Sequence, residues 1–403
     1  MSGKPPVLVL GNGVTALGVI RALGAAGIQS YVLGSEDAIS RRSRWYVPAP
    51  EKPEGFTMRD LSGYLADGPL DSAVLLPCSD SAAMAVADLP PELRRRFPAS
   101  VTPAGSLEIL TDKGSFSAFL TRESIPHPWT MVLRTTDDIA LAPPTVFADA
   151  FLKPCDSQAF FKRYGRKGQR VQDADAAVRQ MAEFAQTGFQ MVLQEYIPGP
   201  PDHHYFVDGF VDREGNVRAL FARRRLRMYP PSFGNSSLMV SVPLNEAAGA
   251  IESVERIVSR LKYRGIFSAE FKRDPRDGLF KILEVNARAW WYVEFAVRCG
   301  VDVCRMAYRD ALEEPVDGID TYAVGVPCVY PYYDYFACRE LRAAGELSVL
   351  EWARSWIGSL QPVFRWSDPL PALSSSLQIL AGDHRRRSPL PQPTRVAAKP
   401  DLT

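Results

Sequence analysis

The sequence predicts an α/β protein in two parts, a parallel sheet flanked by helices and then a larger α+β region. Short apolar runs alternate with helical patterns over the first 105 residues, whereas closely spaced strands with turn signals occupy residues 205–286. Helical patterns rich in aromatic residues follow after about residue 325. Alternation of strands and helices is typical of a parallel sheet with helices on its faces, and consecutive short strands favour antiparallel hairpins.

The first domain, residues 1–105, is predicted to be Rossmann-like. Its strand candidates are residues 7–10, 28–33 and 73–77. A glycine turn at 11–13 separates the first strand from a helical pattern at 16–26. A strand, a tight turn and a helix in this order are the opening unit of a doubly wound sheet.

The second domain, residues 106–325, is predicted to have two lobes. A helical pattern at 111–123 ends before two prolines, and residues of about 125–193 form the smaller lobe. Its predicted elements are strands at 147–152 and 191–194 and a helix at 174–187. The larger lobe is predicted to contain strands at 205–211, 217–224, 238–242, 265–272 and 280–286 and a helix at 246–261.

The chain is then expected to end in a helical, aromatic-rich extension at 326–381 and a disordered tail at 382–403. The tail contains three consecutive arginines at 385–387 and several prolines.

Composition excludes several classes of function. The 47 Lys and Arg residues are balanced by 46 Asp and Glu residues, which gives no sign of a nucleic-acid partner. No apolar run approaches the roughly 20 residues that span a bilayer, and the N-terminus lacks a secretory cleavage site. The six cysteines form no CxxC pair, so we expect a reduced, cytoplasmic protein. With four histidines and no HExxH motif, a zinc site is not expected.

The chemistry is predicted to lie in two neighbouring strands that carry acidic residues. Alternate residues of a strand share a face, so Glu284, Asn286 and Arg288 are expected to project together. Glu270 on the preceding strand reaches that face if the two strands pair as a hairpin. Two carboxylates and an amide oxygen suit Mg²⁺, and Arg288 offers a planar donor fork to a phosphate or acyl oxygen.

The alternative is a solvated hairpin face, because E-x-N-x-R is ordinary composition. The flanking residues favour the metal site: Leu283 and Val285 are expected to face the other way, and two tryptophans follow at 290–291. A carboxylate pair beside apolar surroundings is costly without a cation.

Six short motifs occur in order over about residues 100–310, and as a set they resemble the ATP-grasp superfamily. The motifs are DK at 112–113, FLKP at 151–154, QEYIPG at 194–199, RRR at 223–225, AEFKRD at 269–274 and EVNAR at 284–288. The resemblance is closest to carboxylate–amine ligases of the D-aspartate ligase type. It implies a pre-ATP-grasp domain, a two-lobed ATP-grasp domain whose smaller lobe is the lid, and ATP with Mg²⁺ or Mn²⁺ as cofactors.

The resemblance also implies which residues bind the nucleotide. Lys113 and Lys153 would bind ATP phosphates as point charges, although each lysine taken alone fits an ordinary surface residue. Glu195 would accept a hydrogen bond from the adenine amino group or its neighbours. The backbone of Tyr196 and Ile197 would form the hinge contact with the adenine edge.

Asp202 is the implied partner of the ribose hydroxyls, with Asp208 and His203 as alternatives.

For the phosphoryl transfer, the resemblance implies that Glu270 and Glu284 bridge one or two Mg²⁺ ions, with Asn286 as a further ligand. Arg224 would contact the γ-phosphate or acyl phosphate, with an ordinary basic strand as the alternative interpretation. Arg288 would stabilise the charge that moves with the phosphoryl group. The same set of catalytic candidates includes Lys272.

The lid loop departs from the family pattern, which is usually richer in glycine. Residues 154–168 contain Phe160 and Phe161, which leave less room for backbone amides beside a phosphate. Ser157, Lys162 and Lys167 are candidates to compensate. The loop is also expected to act as a flap that excludes water.

A rival hypothesis comes from the N-terminal turn. Residues 11–16 read GNGVTA, and Glu36 follows the next strand, as in the dinucleotide-binding fingerprint of NAD-dependent oxidoreductases. In ATP-grasp ligases this turn lies near the acceptor site, which makes Gly13 a candidate substrate contact. Asp80, at the same sheet edge, is another, with helix capping as the alternative.

A third hypothesis is a nucleotide-binding regulatory protein without turnover. Retention of both Glu270 and Glu284 argues against it.

The implied reaction activates a carboxylate as an acyl phosphate, which an amine then attacks, and it releases ADP and phosphate. It requires no nucleophilic side chain, which agrees with the lack of a Ser/His/Asp or Cys/His constellation. Trp291 is expected to wall the acceptor pocket for these small-molecule substrates, with a core cluster as the alternative. The aromatic segment at 330–336 has three open interpretations: a cap over the substrate, a surface for a homodimer, or a membrane-proximal patch.

Overall fold

The computed structural model describes residues 4–35, 39–155, 168–185, 189–231 and 234–374. Strands in this part of the chain form three sheets of three, four and six strands. The four-stranded sheet is built from residues 130–195 and the six-stranded sheet from residues 204–329.

The first sheet is parallel and opens the chain. Its strands are β1 (Val7–Leu10), β2 (Ser30–Leu33) and β3 (Val74–Pro77), in the order β2-β1-β3. Central β1 is buried along its whole length, as expected for an apolar strand covered on both faces. The helices of this domain are α1 (Gly13–Ala25), α2 (Leu61–Asp67), α3 (Asp80–Ala87) and α4 (Pro91–Arg96).

The second sheet is antiparallel and belongs to the smaller lobe. Its strands are β4 (Thr130–Leu133), β5 (Ala150–Pro154), β6 (Gln169–Val171) and β7 (Met191–Glu195), in the order β4-β7-β5-β6. The helix of this lobe is α7 (Ala174–Ala185), whereas α5 (Ala104–Thr111) and α6 (Lys113–Arg122) precede the lobe and pack into the core of the third sheet. This lobe has its own apolar core, and β7 leads directly to the hinge.

The third sheet is also antiparallel and carries the predicted acidic residues. Its strands are β8 (His204–Val211), β9 (Val217–Tyr229), β10 (Asn235–Val242), β11 (Gly265–Arg273), β12 (Phe280–Asn286) and β13 (Pro327–Val329), in the order β12-β11-β8-β9-β10-β13. The remaining helices are α8 (Ala248–Leu261), α9 (Val293–Arg298), α10 (Val303–Ala311), α11 (Pro331–Ala343) and α12 (Val349–Ser355).

The two faces of the third sheet have different neighbours. Phe267 and Phe271 of β11 belong to the apolar core that includes α8, on one face. Ile266 of the same strand and Phe210 of β8 join the core formed with α1, α9 and α10, on the other face. Further along β11, that second face carries Glu270.

The C-terminal helices pack against the rest of the molecule. β13 pairs with β10, so the sheet extends past the predicted domain boundary at residue 326. Arg21 of α1, which is fully buried, donates hydrogen bonds of 2.9 Å to the carboxylates of Asp368 and Glu294. The segment after α12 therefore returns to the first domain. The predicted tail at 382–403 lies outside the described residues.

Among the described residues, no helix is both long enough and apolar enough to span a bilayer.

Candidate functional site

The predicted acidic pair lies side by side on one face of the third sheet. Glu270 of β11 is the direct register partner of Glu284 of β12, and Ser268 is the partner of Asn286. Directly opposed residues on one face have Cβ atoms about 4.5–5.5 Å apart. The arrangement brings both carboxylates and the amide to one patch of the sheet.

A β-bulge in β12 adjusts this alternation. The register shifts between Glu270 and Phe271, so that Phe271 pairs with Ile282 and Leu283 becomes the extra residue. Ile282 and Val285 enter the core of the opposite face. The sequence predicts that Leu283 faces this core, but Ile282 does so instead. The extra residue of the bulge reverses the alternation of side chains on one side of it.

Glu270 is surrounded by basic side chains from the two strands beyond it. Arg225 Nη2 of β9 donates to Glu270 Oε1 at 3.0 Å, and His204 Nδ1 of β8 lies 3.1 Å from the same oxygen. Burial, and next the Arg225 guanidinium, lower the pKa of His204 to about 4, so its imidazole is neutral near pH 7. Of these two neighbours, Arg225 is therefore the charged partner of Glu270.

Arg224, the predicted phosphate contact, lies on the opposite face of β9. Its Nε is 3.1 Å from Glu246 Oε1, and Tyr205 of the α8-side core donates to that same oxygen at 3.0 Å. Arg225 and Arg223 point to the face that carries Glu270, because neighbouring residues of a strand alternate. The structure thus does not bring Arg224 together with the acidic pair.

Arg288 connects the acidic patch to the first domain. Its guanidinium donates to both oxygens of Asp80, at 3.0 and 3.3 Å, and to Asn286 Oδ1 at 2.7 Å. The Asn286 amide nitrogen in turn lies 3.3 Å from Glu284 Oε1. Arg288, Asn286 and Glu284, which the sequence spacing predicts to project together, therefore form one hydrogen-bonded chain.

Lys272 joins the third sheet to the hinge. Its Nζ lies 4.6 Å from the ring centroid of Tyr196 and 3.5 Å from the Tyr196 hydroxyl. Burial, followed by the nearby Arg225, lowers the pKa of Lys272 to about 8. A lysine with this pKa is mostly charged at pH 7, and a contact with an anion would hold it in that state.

The two predicted phosphate lysines belong to the lid side of the site. Lys113, the first residue of α6, donates to the carbonyl of Pro154 at the end of β5. Lys153 of β5 donates to Gln194 Oε1 of β7 at 2.7 Å. Most of the predicted lid loop at 154–168, including Phe160 and Phe161, lies outside the described part of the chain, which omits residues 156–167.

The hinge residues start at Glu195, the last residue of β7, and several of their polar groups are already hydrogen-bonded. Glu195 accepts from Arg276 Nη2 at 2.6 Å and from the Trp129 N–H at 3.2 Å. The Tyr196 N–H donates to the Asp149 carbonyl at 2.9 Å. Ile197 is buried. Through these contacts, Glu195 connects the lid to the turn after β11.

Asp202, predicted to contact the ribose, lies in the short 3-10 helix (Pro201–His203) that precedes β8, on the side of Arg224. Its Oδ2 is 4.0 Å from Arg224 Nη1. The structure therefore associates Asp202 with the face opposite the acidic pair.

The three predicted substrate contacts are distributed around the site. Gly13 is the first residue of α1, and Asp80 is the first residue of α3 and binds Arg288. The Trp291 ring packs 4.7 Å from Tyr330 and 5.6 Å from Tyr333, as measured between centroids. Glu36, the acidic residue of the dinucleotide fingerprint, lies outside the described residues.

Sequence reasoning did not assign a role to Arg225, His204 or Arg276. Arg225 is the neighbour of Arg224, which the sequence analysis chose. Because neighbouring residues of a strand face opposite sides of a sheet, the two can be told apart once the pairing of β9 is known. His204 and Arg276 carry no such signal, because their contacts with Glu270 and Glu195 join positions 66 and 81 residues apart in the chain.

The molecule has an ATP-grasp fold, which confirms the resemblance found in the sequence. The fold consists of the parallel first sheet, the small antiparallel lobe and the larger sheet with its acidic patch. The chain is 24% identical over 248 residues to D-aspartate ligase from Enterococcus faecium (strain Aus0004). That match covers 59% of this chain and 58% of the relative, so the chain spans less than two thirds of the relative's length. No protein-family model matches the chain.

Solved structures support the same fold. An L-amino acid ligase from Bacillus licheniformis superposes with a TM-score of 0.56 at 16% identity, covering 77% of this chain and 75% of that one. The biotin carboxylase domain of the Hydrogenobacter thermophilus 2-oxoglutarate carboxylase, solved with MgADP and bicarbonate, gives a TM-score of 0.61 at 17% identity. That superposition covers 81% of this chain and 74% of the other.

Proposed function

We propose that this protein is an ATP- and Mg²⁺-dependent ligase that activates a carboxylate as an acyl phosphate and couples it to an amine. ADP and phosphate are the other products. The observation that carries the proposal is the cross-strand pair of Glu270 and Glu284, flanked by Arg225 and Arg288 and facing the lid hinge through Lys272. The likeness to a D-aspartate ligase and to the fold of an L-amino acid ligase supports it.

The donor set fits a magnesium ion that shares its coordination sphere with phosphate oxygens. Glu270 and Glu284 supply hard carboxylate oxygens, which Mg²⁺ prefers, and Asn286 supplies an amide oxygen. Among the described residues, no group of three or more His, Cys, Asp or Glu side chains is placed to hold a metal. A site with only two carboxylates is the kind that relies on substrate phosphates for its remaining ligands. When bound, Mg²⁺ would neutralise charge on the phosphates and help to align them.

The basic residues of this chain would position the phosphates and balance their charge. Arg225, already paired with Glu270, replaces Arg224 in our proposal as the β9 arginine nearest the transferred phosphoryl group. Lys113 and Lys153 would contribute from the lid side, and Lys272 from the hinge side. Because such transfers need little covalent help from the protein, holding the carboxylate and phosphate in line could supply up to ~7–11 kcal/mol of the barrier.

The adenine would bind at the hinge through backbone groups. The Tyr196 N–H is engaged with Asp149, so the Tyr196 carbonyl and the Ile197 N–H are the hinge groups that we propose for the adenine edge. Glu195 would act by holding the hinge through Arg276 rather than by contacting the base.

The free state of the six cysteines agrees with a reducing, cytoplasmic compartment, which we include in the proposal. The homodimer and the three interpretations of the aromatic extension stay predictions. The NAD-dependent alternative has no support among the comparisons reported above, which name two ligases and a biotin carboxylase domain.

The test is phosphate release from MgATP in the presence of a panel of amino acids, with hydroxylamine added to trap an acyl phosphate as its hydroxamate. We expect release that depends on one carboxylate, and loss of release in the Glu284→Ala variant with the fold retained. Glu252→Ala, an exposed glutamate on α8, is the matched control and should keep full activity. Full activity of Glu284→Ala, or stabilisation by NAD instead of MgATP in a melting assay, would contradict the proposal.

A further inference from the structure

The guanidinium of Arg288 is held by a carboxylate from a different domain. Arg288 Nε donates to Asp80 Oδ1 at 3.0 Å, and Nη2 donates to Asp80 Oδ2 at 3.3 Å. These two residues are 208 positions apart in the chain. A two-point contact of this kind fixes the orientation of the guanidinium plane as well as its distance.

The position of Asp80 is itself fixed by local structure. Ser79 caps α3 by accepting a 3.2 Å hydrogen bond from the Ala82 N–H, which makes Asp80 the first helical residue. The N–H of Ala289, the residue after Arg288, donates to the Pro77 carbonyl at the end of β3 at 3.3 Å. Both the backbone and the side chain therefore connect the end of β12 to the carboxyl edge of the first sheet.

The remaining contacts of Arg288 leave little of its hydrogen-bonding capacity for a substrate. Nη2 also donates to Asn286 Oδ1 at 2.7 Å, and Nη1 donates to the Ala289 carbonyl at 3.1 Å. A guanidinium has five N–H groups, and these contacts engage four of them. Within the described residues, only one N–H, on Nη1, is left to meet a phosphate or acyl oxygen.

We propose that Asp80 is the positioning residue for Arg288, through which the first domain sets the direction of the one donor that Arg288 offers to the reacting group. This inference rests on the proposed ligase function. Each Asp80 oxygen accepts a hydrogen bond from Arg288, and in this proposal the aspartate acts through the arginine. About half of the Asp80 side chain is exposed, and replacing it removes little buried structure.

The test is a double-mutant cycle on phosphate release, with the variants Asp80→Asn, Arg288→Ala and the two combined. Asn keeps the size of Asp80 but loses the charge and one of the two acceptors. We expect Asp80→Asn to lower kcat about 10²-fold, the scale of a mispositioned reacting group, while KM for ATP stays within about threefold. In the Arg288→Ala background, Asp80→Asn should have no further effect, because the group that it positions is gone.

The outcomes are distinguishable from one another. Losses that multiply in the double variant would show a direct substrate contact or a separate structural role, and either result overturns the inference. A rise in KM with unchanged kcat would overturn it as well. The control is Asp71→Asn, an exposed aspartate of the same domain, which should match wild type in turnover and melting temperature. Absence of phosphate release from the wild-type enzyme would instead refute the proposed function, and the inference with it.

Discussion

The buried carboxylate of Asp334 connects the C-terminal helices to the third sheet, and replacing it with Asn should release them. Asp334 accepts two hydrogen bonds from Arg227 of β9, at 3.0 and 2.8 Å, and one from the Ser237 hydroxyl at 2.8 Å. The indole N–H groups of Trp352 and Trp356 donate to it at 2.8 and 2.7 Å. All of these donors lie in or beside β9, β10 and α12, while Asp334 itself is fully buried in α11.

The expected cost is set by the arginine that would lose its counter-charge. Removing one partner of a buried ion pair typically costs about 3–5 kcal/mol, because the other charge stays buried and uncompensated. In Asp334→Asn the new amide nitrogen adds a repulsive contact in either orientation. In place of Oδ2 it faces both indole N–H groups, and in place of Oδ1 it faces the Arg227 Nε–H. A change of this size in the local opening free energy corresponds to hydrogen exchange on the order of a hundred-fold faster or more.

The assay is amide hydrogen exchange followed by mass spectrometry on peptides from residues 331–356. We expect faster exchange in those peptides, with little change in the lid sheet at 130–195. Asp317→Asn is the control, because the Asp317 side chain is 89% exposed and its ion pair with Arg309 should contribute little. Exchange in Asp334→Asn within about threefold of wild type would refute the reasoning that this carboxylate holds the extension in place.

Two further predictions concern the site. Arg225→Ala should reduce phosphate release by at least about 10²-fold, because it removes a guanidinium beside Glu270. Arg224→Ala should reduce it by less than about fivefold. If a steady-state assay gave the reverse order, Arg224 would be the phosphate contact instead. Since burial lowers the pKa of Lys272 to about 8, its ammonium loses its proton as pH rises through that value, so kcat/KM for ATP should fall above pH 8 in wild type. The Lys272→Arg variant, which stays charged, should show no fall in that range, and a wild-type profile that is flat from pH 7 to 9.5 would contradict the role of the charge.

Much of the fold could be predicted because its signals are local. The parallel strands at 7–10 and 73–77 are continuous apolar runs, and the observed β1 and β3 fall within them. β4, by contrast, follows two prolines and has only one fully buried residue, so its pattern carries little information. It forms because β7 offers a free edge for pairing, which is a tertiary effect.

The acidic patch could be predicted for the same reason, since Glu284, Asn286 and Arg288 lie on one strand and its extension. Which arginine of the 223–225 run faces that patch could not be read from the sequence. The facing of these arginines depends on how β9 pairs with β8, where Arg223 lies opposite Phe206. A shift of this pairing by one residue would exchange the two faces of β9. The bulge at Leu283 reverses an alternation in the same way.

The contact between Asp80 and Arg288 could not be predicted from the sequence, because neither residue type nor spacing indicates a pairing across 208 positions. The sequence indicated that Asp80 lies at the carboxyl edge of the first sheet, where ligands of such sheets bind. The structure adds that the partner at this edge is a side chain of the same protein. In an ATP-grasp fold assembled from separate lobes, that contact gives the first domain a physical means of influencing the chemistry without touching the nucleotide. An arginine with one remaining donor depends on its neighbours for direction, so catalytic geometry in the proposed ligase should be sensitive to how the first domain docks.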